Sequence, residues 1–181
     1  MSTIQLRVAN LSDVGSLAAV HVAAWRESYP GILPDEMLAA LSVEARTDMW
    51  REFLSAPATS AETKVYVAEM HGQIVGFGSC GGQREKALAQ LGFGGEISAI
   101  YLLRSHQRLG LGRSLMTQMA QALTKLGFVG AALWVLRENI AARGFYERLG
   151  GTLVGEKKDE RPDATFDEVA YGWRDLSLFA R

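Results

Sequence analysis

The stretch GEISAIYLLRSHQRLGLGRSLMTQMAQALTKL, from Gly95 to Leu126, reads as a strand, a short basic turn and a helix in that order. Residues 97–102 are mostly apolar and β-favouring, which predicts the strand. Beyond the turn, large apolar side chains recur three or four positions apart and predict one buried helix stripe: Leu111, Leu115, Met119, Leu123 and Leu126. Gly127 ends the predicted helix.

The turn itself, Gln107-Arg-Leu-Gly-Leu-Gly-Arg113, has the properties of an anion site. The first N–H groups of a helix have no intrahelical partner, and the helix dipole gives them partial positive charge. Gly110 and Gly112 keep side chains away from this backbone, and arginines at 104, 108 and 113 add full charges. The turn is therefore predicted to bind a phosphate or pyrophosphate. The alternative is a plain strand-to-helix connection with glycines for tight packing.

Two common phosphate motifs fit this turn poorly. A Walker loop ends in Gly-Lys-Ser/Thr, whereas this turn ends in Gly112-Arg113-Ser114. A dinucleotide fingerprint requires a third glycine, but position 115 is leucine. The sequence therefore predicts neither a P-loop nucleoside triphosphatase nor a dinucleotide-binding enzyme.

The pattern Gln-x-x-Gly-x-Gly, following a strand and opening a helix, resembles the pyrophosphate loop of the GNAT N-acetyltransferase family. The resemblance extends from Val65 to Trp173 through the order of the flanking elements. It implies acetyl-CoA as the cofactor, with its pyrophosphate bound by residues of the loop: Gln107, Arg108, Leu109, Gly110, Leu111, Gly112 and Arg113. It also implies a V-shaped gap between the fourth and fifth strands, in which the family binds acetyl-CoA.

Composition indicates an ordinary globular protein. The chain has 181 residues, 48% of them hydrophobic and 22% charged, so one domain spanning 1–181 is expected. A net charge of −1 favours neither nucleic acid nor an anionic membrane as a partner. Cys80 has no second cysteine to pair with, the N-terminus lacks a signal-like segment, and no metal-ligand spacing is present. A cytoplasmic location is expected.

The first part of the chain predicts a strand followed by helices. Residues 4–8 alternate apolar and polar, and Asn10 is a good cap for a helix that ends before Tyr29-Pro30-Gly31. Pro34 and Ser42 begin two further helices, and Ser55 to Thr63 is predicted as a loop. His21 is predicted to be an ordinary helix residue.

The later part predicts an α/β (α+β) fold with a mixed, mostly antiparallel sheet flanked by helices. Val65–Ala68 and Ile74–Gly78 form a hairpin about His71-Gly72. Strands are also predicted at 131–136, 152–154 and 166–173, with a helix from Asn139 to Leu149. The segments Cys80 to Gly95 and Glu156 to Ala164 are predicted as irregular connections.

Acetyl transfer to an amine requires removal of a proton, because an amine of pKa ~10.4 is almost wholly protonated at pH 7. Glu96 lies eleven positions before Gln107, where histone-acetylating relatives carry a catalytic glutamate, and the resemblance makes it the candidate general base. A solvated glutamate at a strand start would fit the same spacing. Tyr146 matches the family tyrosine that faces the cofactor sulfur and is the candidate acid.

Three further residues are implied to contact the cofactor. Asn139 matches an asparagine that contacts the CoA arm, and its capping role uses a different atom. The backbone N–H of Leu102 or of Leu103 corresponds to the place where the family polarises the acetyl carbonyl.

The acceptor amine is expected near Trp25, Glu27 and Tyr29, since the family places its acceptor against the first helices. The alternative is that Trp25 and Tyr29 pack the helix on the core. The predicted reaction is direct transfer in a ternary complex to a primary amine of a small molecule or peptide, with a homodimer possible. A CoA-binding regulatory module without turnover, and a transferase for longer acyl chains or protein N-termini, are the alternatives.

Overall fold

The computed structural model contains both strands and helices and describes residues 4–56, 63–162 and 164–180. The strands are β1 (Ile4–Val8), β2 (Lys64–Met70), β3 (Gln73–Gly82), β4 (Gly95–Leu102), β5 (Ala131–Leu136), β6 (Thr152–Arg161) and β7 (Ala164–Trp173). The helices are α1 (Val14–Ser28), α2 (Asp35–Ala39), α3 (Val43–Ser55), α4 (Lys86–Gln90), α5 (Leu111–Lys125) and α6 (Ile140–Arg148). Among the described residues, 3₁₀ turns lie at Leu11–Asp13, Arg104–His106 and Leu176–Ala180.

The sheet is mixed, as predicted, with the strand order β1-β2-β3-β4-β5-β7-β6. β4 and β5 are parallel, whereas β1 pairs antiparallel with β2, and β7 pairs antiparallel with both β5 and β6. The β4–β5 register joins Gly95 to Ala131 and Glu96 to Ala132, the first two residues of each strand.

Local sequence signals account for most element boundaries. Asn10 and Asp13 form a capping box before α1, and Ser42 Oγ accepts a hydrogen bond from the Ala45 N–H at the start of α3. His71 and Gly72 have φ values of 53° and 76°, which are the left-handed values of a tight hairpin turn. Gly127, with φ of 91°, follows α5.

Two predicted irregular connections are wrong. Within Cys80 to Gly95, β3 continues to Gly82 and α4 follows, because backbone pairing and burial of Leu88 order this segment. Within Glu156 to Ala164, β6 continues to Arg161, since its backbone pairs with β7 as far as Ala164. The charged residues 156–161 show no apolar–polar alternation, so the sequence pattern did not indicate a strand there. Of the predicted loop Ser55 to Thr63, residues 57–62 lie outside the described residues.

The chain divides into two compact units. The first contains the described residues up to Ser79 together with Ala99–Met119, and the second contains Cys80–Ser98 together with the described residues from Ala120 onward. The assignment of 1–181 to a single domain stays a prediction. Within the described ranges, no helix combines the length and apolarity needed to cross a bilayer.

Each unit has its own apolar cluster. In the first unit, Leu17, Trp50, Val67 and Phe77 are buried together where α1 and α3 pack on the sheet. In the second, Leu88, Phe93, Ala132 and Ala170 form a smaller cluster, with Trp134 packed against it.

Candidate active site

The predicted anion loop connects β4 to α5 in the first unit. Arg108 and Gly110 have φ values of 61° and 84°, so the backbone turns through left-handed conformations before α5 begins at Leu111. An ideal Cβ at Gly110 would meet nothing within 4 Å, so the positive φ, and not crowding, favours glycine there. Alternation of left-handed residues arranges successive N–H groups around a concavity that suits an anion.

The start of α5 supplies further donors. Ser114 is bonded through its N–H to the Gly110 carbonyl at 3.0 Å, the first i to i−4 bond of the helix. The N–H groups of Leu111, Gly112 and Arg113 precede this bond, so helix geometry leaves them without an intrahelical carbonyl. Arg108 and Arg113 are exposed beside them. Backbone donors and side-chain charge therefore coincide at one helix end.

Two hydrogen bonds of this region bear on the predicted contacts of β4. Leu103 donates its N–H to the Val75 carbonyl at 3.0 Å, so that amide is already used by β3. Gln107 Nε2 donates to the Leu102 carbonyl at 3.2 Å, which ties the loop to the end of the strand. Successive strand amides point in opposite directions, so Leu102 is the better candidate of the two for the acetyl carbonyl.

Glu27 and Tyr29, at the end of α1, form hydrogen bonds with residues at the C-terminal end of β4 in the same unit. The Glu27 carboxylate accepts the Arg104 N–H at 2.6 Å, and the Arg104 guanidinium donates to the Glu27 carbonyl. The Tyr29 and Tyr101 hydroxyls lie 3.2 Å apart. The predicted acceptor residues are thus attached to the start of the anion loop.

Trp25 belongs to a ring cluster in the first unit. His21 lies at its centre, with ring centroids of Trp25, Trp50, Phe77 and Tyr101 at 5.3 to 5.8 Å. Burial, aided by the charge of Arg46, lowers the pKa of His21 to about 4. His21 is therefore neutral at pH 7 and belongs to the packed core, and it lies in α1 as the sequence predicted.

Glu96 lies at the start of β4 in the second unit and is buried. Its carboxylate accepts hydrogen bonds from the Arg84 N–H at 3.0 Å, Arg84 Nε at 3.0 Å and Arg84 Nη2 at 2.6 Å. Burial alone would raise the pKa of Glu96, but the hydrogen bonds and charge of Arg84, with the charge of Lys157, lower it overall. Glu96 is a carboxylate at pH 7.

Tyr146 lies on α6 in the second unit, and Asn139 caps the N-terminus of that helix. Asn139 Oδ1 accepts the Ala142 N–H at 3.1 Å, which leaves the side-chain amide nitrogen for another partner, as predicted. Tyr146 is buried against Tyr171 and Trp173, with ring centroids 6.0 and 6.1 Å away. Hydrogen bonds also join α6 to β7. The Tyr171 hydroxyl donates to Glu147 and accepts from Arg143 Nε.

Sequence reasoning missed several residues around Glu96. Arg84 lies in a segment predicted to be irregular, and Lys157 lies in the predicted charged loop, so no local pattern marked either residue. Trp134 and Glu168 were treated as ordinary strand residues. A correct prediction of β6 would have placed Lys157 opposite Glu168 by strand pairing.

Comparison with known proteins gives the family of this chain. Residues 22–151 match the model of the acetyltransferase (GNAT) family, and the chain belongs to that family. It is 34% identical to the uncharacterized N-acetyltransferase YuaI of Bacillus subtilis, over 96% of this chain and 95% of the relative. Family membership makes this chain an acetyltransferase.

Solved structures share the fold at lower identity. The PaiA N-acetyltransferase of Thermoplasma acidophilum, a complex with coenzyme A, superposes with a TM-score of 0.71 at 18% identity, over 94% of this chain and 99% of that one. A putative acetyltransferase of Salmonella typhimurium, YncA, holds acetyl-CoA and gives 0.68 at 17% identity, over 97% and 95% of the two chains. The predicted fold class is confirmed.

Proposed function

We propose that this protein transfers an acetyl group from acetyl-CoA directly to a primary amine of a small molecule or peptide. The observation that supports this most is the anion loop at the start of α5, where left-handed backbone at Arg108 and Gly110 precedes three uncommitted helix donors. Acetyl-CoA supplies an activated thioester. Two relatives of the same fold bind CoA or acetyl-CoA, which supports the choice of ligand.

The loop suits a pyrophosphate for electrostatic reasons. Helix N-terminal N–H groups stabilise an anion by up to ~2 kcal/mol in favourable geometry. Arg108 and Arg113 add charge that solvent screens only partly at this range. We assign the pyrophosphate to Gln107 through Arg113, and the acetyl carbonyl to the Leu102 N–H.

Glu96 is proposed to remove the proton of the amine through a water molecule. Its lowered pKa keeps Glu96 ionised at pH 7, so that it can accept the proton that water relays from the amine. Tyr146 is proposed to donate a proton to the departing thiolate. A phenol of pKa ~10 can protonate a thiolate of pKa ~8.5 at a small free-energy cost.

The acceptor is proposed to bind near Trp25 and Tyr29. Their rings are 5.1 Å apart and nearly perpendicular, which presents an aromatic edge and face to an amine with an apolar flank. Glu27 contributes by holding Arg104, since its carboxylate is already bonded. We propose that the enzyme acts in the cytoplasm, where its lone cysteine needs no partner.

The test is calorimetric titration of the full chain with acetyl-CoA and CoA, alongside Gly110→Asp and Gly112→Asp. A carboxylate in the loop repels the pyrophosphate, so both variants should lose binding by about 100-fold or more, or roughly 3 kcal/mol. Gly72→Asp is the matched control, because Gly72 has a similar φ of 76° and also has nothing within 4 Å of an added Cβ.

Micromolar binding that survives only in the parent and in Gly72→Asp would support the assignment and justify a screen of amines. Absence of binding to the parent would overturn the proposed function. Equal binding by all four proteins would show that the cofactor binds elsewhere on the chain.

A further inference from the structure

Lys157 occupies an amine-binding arrangement in the second unit. Its Nζ lies 4.3 Å from the centroid of the Trp134 ring, 3.5 Å from Glu85 Oε2 and 3.6 Å from Glu168 Oε2. An aromatic face and two carboxylates are the groups that recognise an ammonium. The chain thus holds one of its own primary amines in surroundings suited to an amine substrate.

Strand pairing places this amine on the same sheet face as Glu96. Glu96 pairs with Ala132 on β5, and Trp134 is two residues further along β5. Trp134 pairs with Ala170 of β7, and Glu168, two residues before Ala170, pairs with Lys157 of β6. Side chains two residues apart on a strand share a face. Among the described lysines, Lys157 is the one whose charge acts on the pKa of Glu96.

Lys157 is also accessible. Its side chain is 37% exposed, and its two ion-pair distances are longer than those of a tight bidentate pair. The Glu85 side chain is 43% exposed and that of Glu168 is 18% exposed, so solvent reaches the ammonium group from the Glu85 side. Lys158, the next residue, lies on the opposite face of β6 and is exposed.

We propose that Lys157 is an acetylation site of the enzyme itself, modified in cis by acetyl-CoA. The proposal rests on the proposed function. The Lys157 ammonium first gives one proton by way of water to Glu96, which releases it to solvent. Neutral Nζ attacks the thioester carbonyl, a C–N bond forms, and the C–S bond breaks. The thiolate takes a proton from Tyr146, the second Nζ proton returns through water to Tyr146, and the products are Nε-acetyl-Lys157, CoA and one proton.

The modification changes the surroundings of Glu96. An acetylated lysine carries no charge, so Glu85 and Glu168 lose a cationic partner and Trp134 loses its cation–π contact. Glu96 also loses one of the positive charges that lower its pKa. Acetyl-Lys157 therefore leaves an acidic, aromatic surface where the unmodified chain holds its own amine.

The test is a time course of the purified full chain with acetyl-CoA, followed by peptide mass spectrometry. Lys157 should gain 42 Da at least about tenfold faster than Lys158, because positioning raises the effective concentration of a reacting group. Uncatalysed acetylation would favour exposed Lys158 instead. The rate per molecule should not change with protein concentration, as expected of a reaction in cis.

Matched variants separate a catalysed step from a chemical one. Lys157→Arg keeps the charge but should remove the mass gain, whereas Lys158→Arg should leave it. Glu96→Gln and Tyr146→Phe should each slow the gain by about 100-fold, the lower range for loss of an acid–base group. The proposal would be overturned by equal labelling of Lys157 and Lys158, or by a rate that rises with protein concentration. Labelling of Lys157 at the parent rate in both Glu96→Gln and Tyr146→Phe would also overturn it.

A parallel CoA titration and amine screen distinguish this proposal from the proposed function. Acetylation of an added amine without modification of Lys157 would overturn the self-acetylation alone. A parent protein that neither binds CoA nor acetylates any amine would overturn both.

Discussion

Arg84 holds the carboxylate of Glu96 with three hydrogen bonds, two from its guanidinium and one from its own backbone N–H. The two partners differ in burial, since the Arg84 side chain is 77% exposed and that of Glu96 is 10% exposed. A buried carboxylate is thus kept ionised by a cation that lies mostly in solvent. The pair determines the charge state in which Glu96 would act.

We expect Arg84→Gln to raise the pKa of Glu96, because burial then opposes ionisation with less compensation. The acid limb of the pH profile of kcat/KM should move to higher pH. A carboxyl group whose pKa is lowered by folding stabilises the protein at pH values above its ordinary pKa, and this stabilisation is lost as the pH falls. Acid unfolding of the variant should therefore begin at a higher pH than that of the parent. Arg51→Gln, which removes a pair with Asp48 between two exposed side chains, is the control. An unmoved acid limb would show that Glu96 does not govern it.

Arg108 carries a positive φ without being glycine, which costs about 1–2 kcal/mol for an L-residue. Arg108→Gly should therefore be more stable than Arg108→Ala by about 1 kcal/mol in urea unfolding. The sign should reverse at Arg113 in the first turn of α5, where glycine is the poorer helix former by about 1 kcal/mol. Both Arg108 variants should weaken CoA binding alike, because both remove the same charge. Equal stability of the two Arg108 variants would contradict the strained backbone.

His21 should make the protein sensitive to acid. Its pKa is about 4 in the folded state against an ordinary 6.5, so the unfolded state binds more protons between these values. The free energy of unfolding should fall as the pH drops from 6.5 to 4, by about 3 kcal/mol from this residue.

The comparison variant for His21 is His21→Phe, which keeps an aromatic ring within the cluster of Trp25, Trp50 and Tyr101. Unfolding in urea at several pH values should show a flatter dependence for this variant over the same interval. Parallel curves for the two proteins would mean that His21 titrates normally.

Tyr171 should position α6. Replacing Tyr171 by Phe removes the donor to Glu147 and the acceptor for Arg143 Nε, and should lower the free energy of unfolding by about 1–3 kcal/mol. A double-mutant cycle with Glu147→Gln should give a coupling of about 0.5–3 kcal/mol, since the two groups are in contact. Additive effects would place the stabilisation elsewhere.

The local elements of this protein follow from its sequence. The strand, turn and helix of residues 95–126 arise from apolar periodicity and glycine placement, and the caps at Asn10, Ser42 and Asn139 act within a few residues. The turn before α5 could be predicted because its glycines and the first turn of the helix are adjacent in sequence. These features depend on short-range backbone preferences, which a sequence displays directly.

Tertiary structure decided which distant residues meet. β6 extends to Arg161 because β7 supplies its hydrogen bonds, although its own side chains resemble those of a solvated loop. The contacts of Arg84 with Glu96, and of Lys157 with Trp134, join residues that are distant in sequence. The charge states of these residues depend on burial and proximity, which exist only once the sheet has formed. The spacing of residues in the sequence therefore does not predict them.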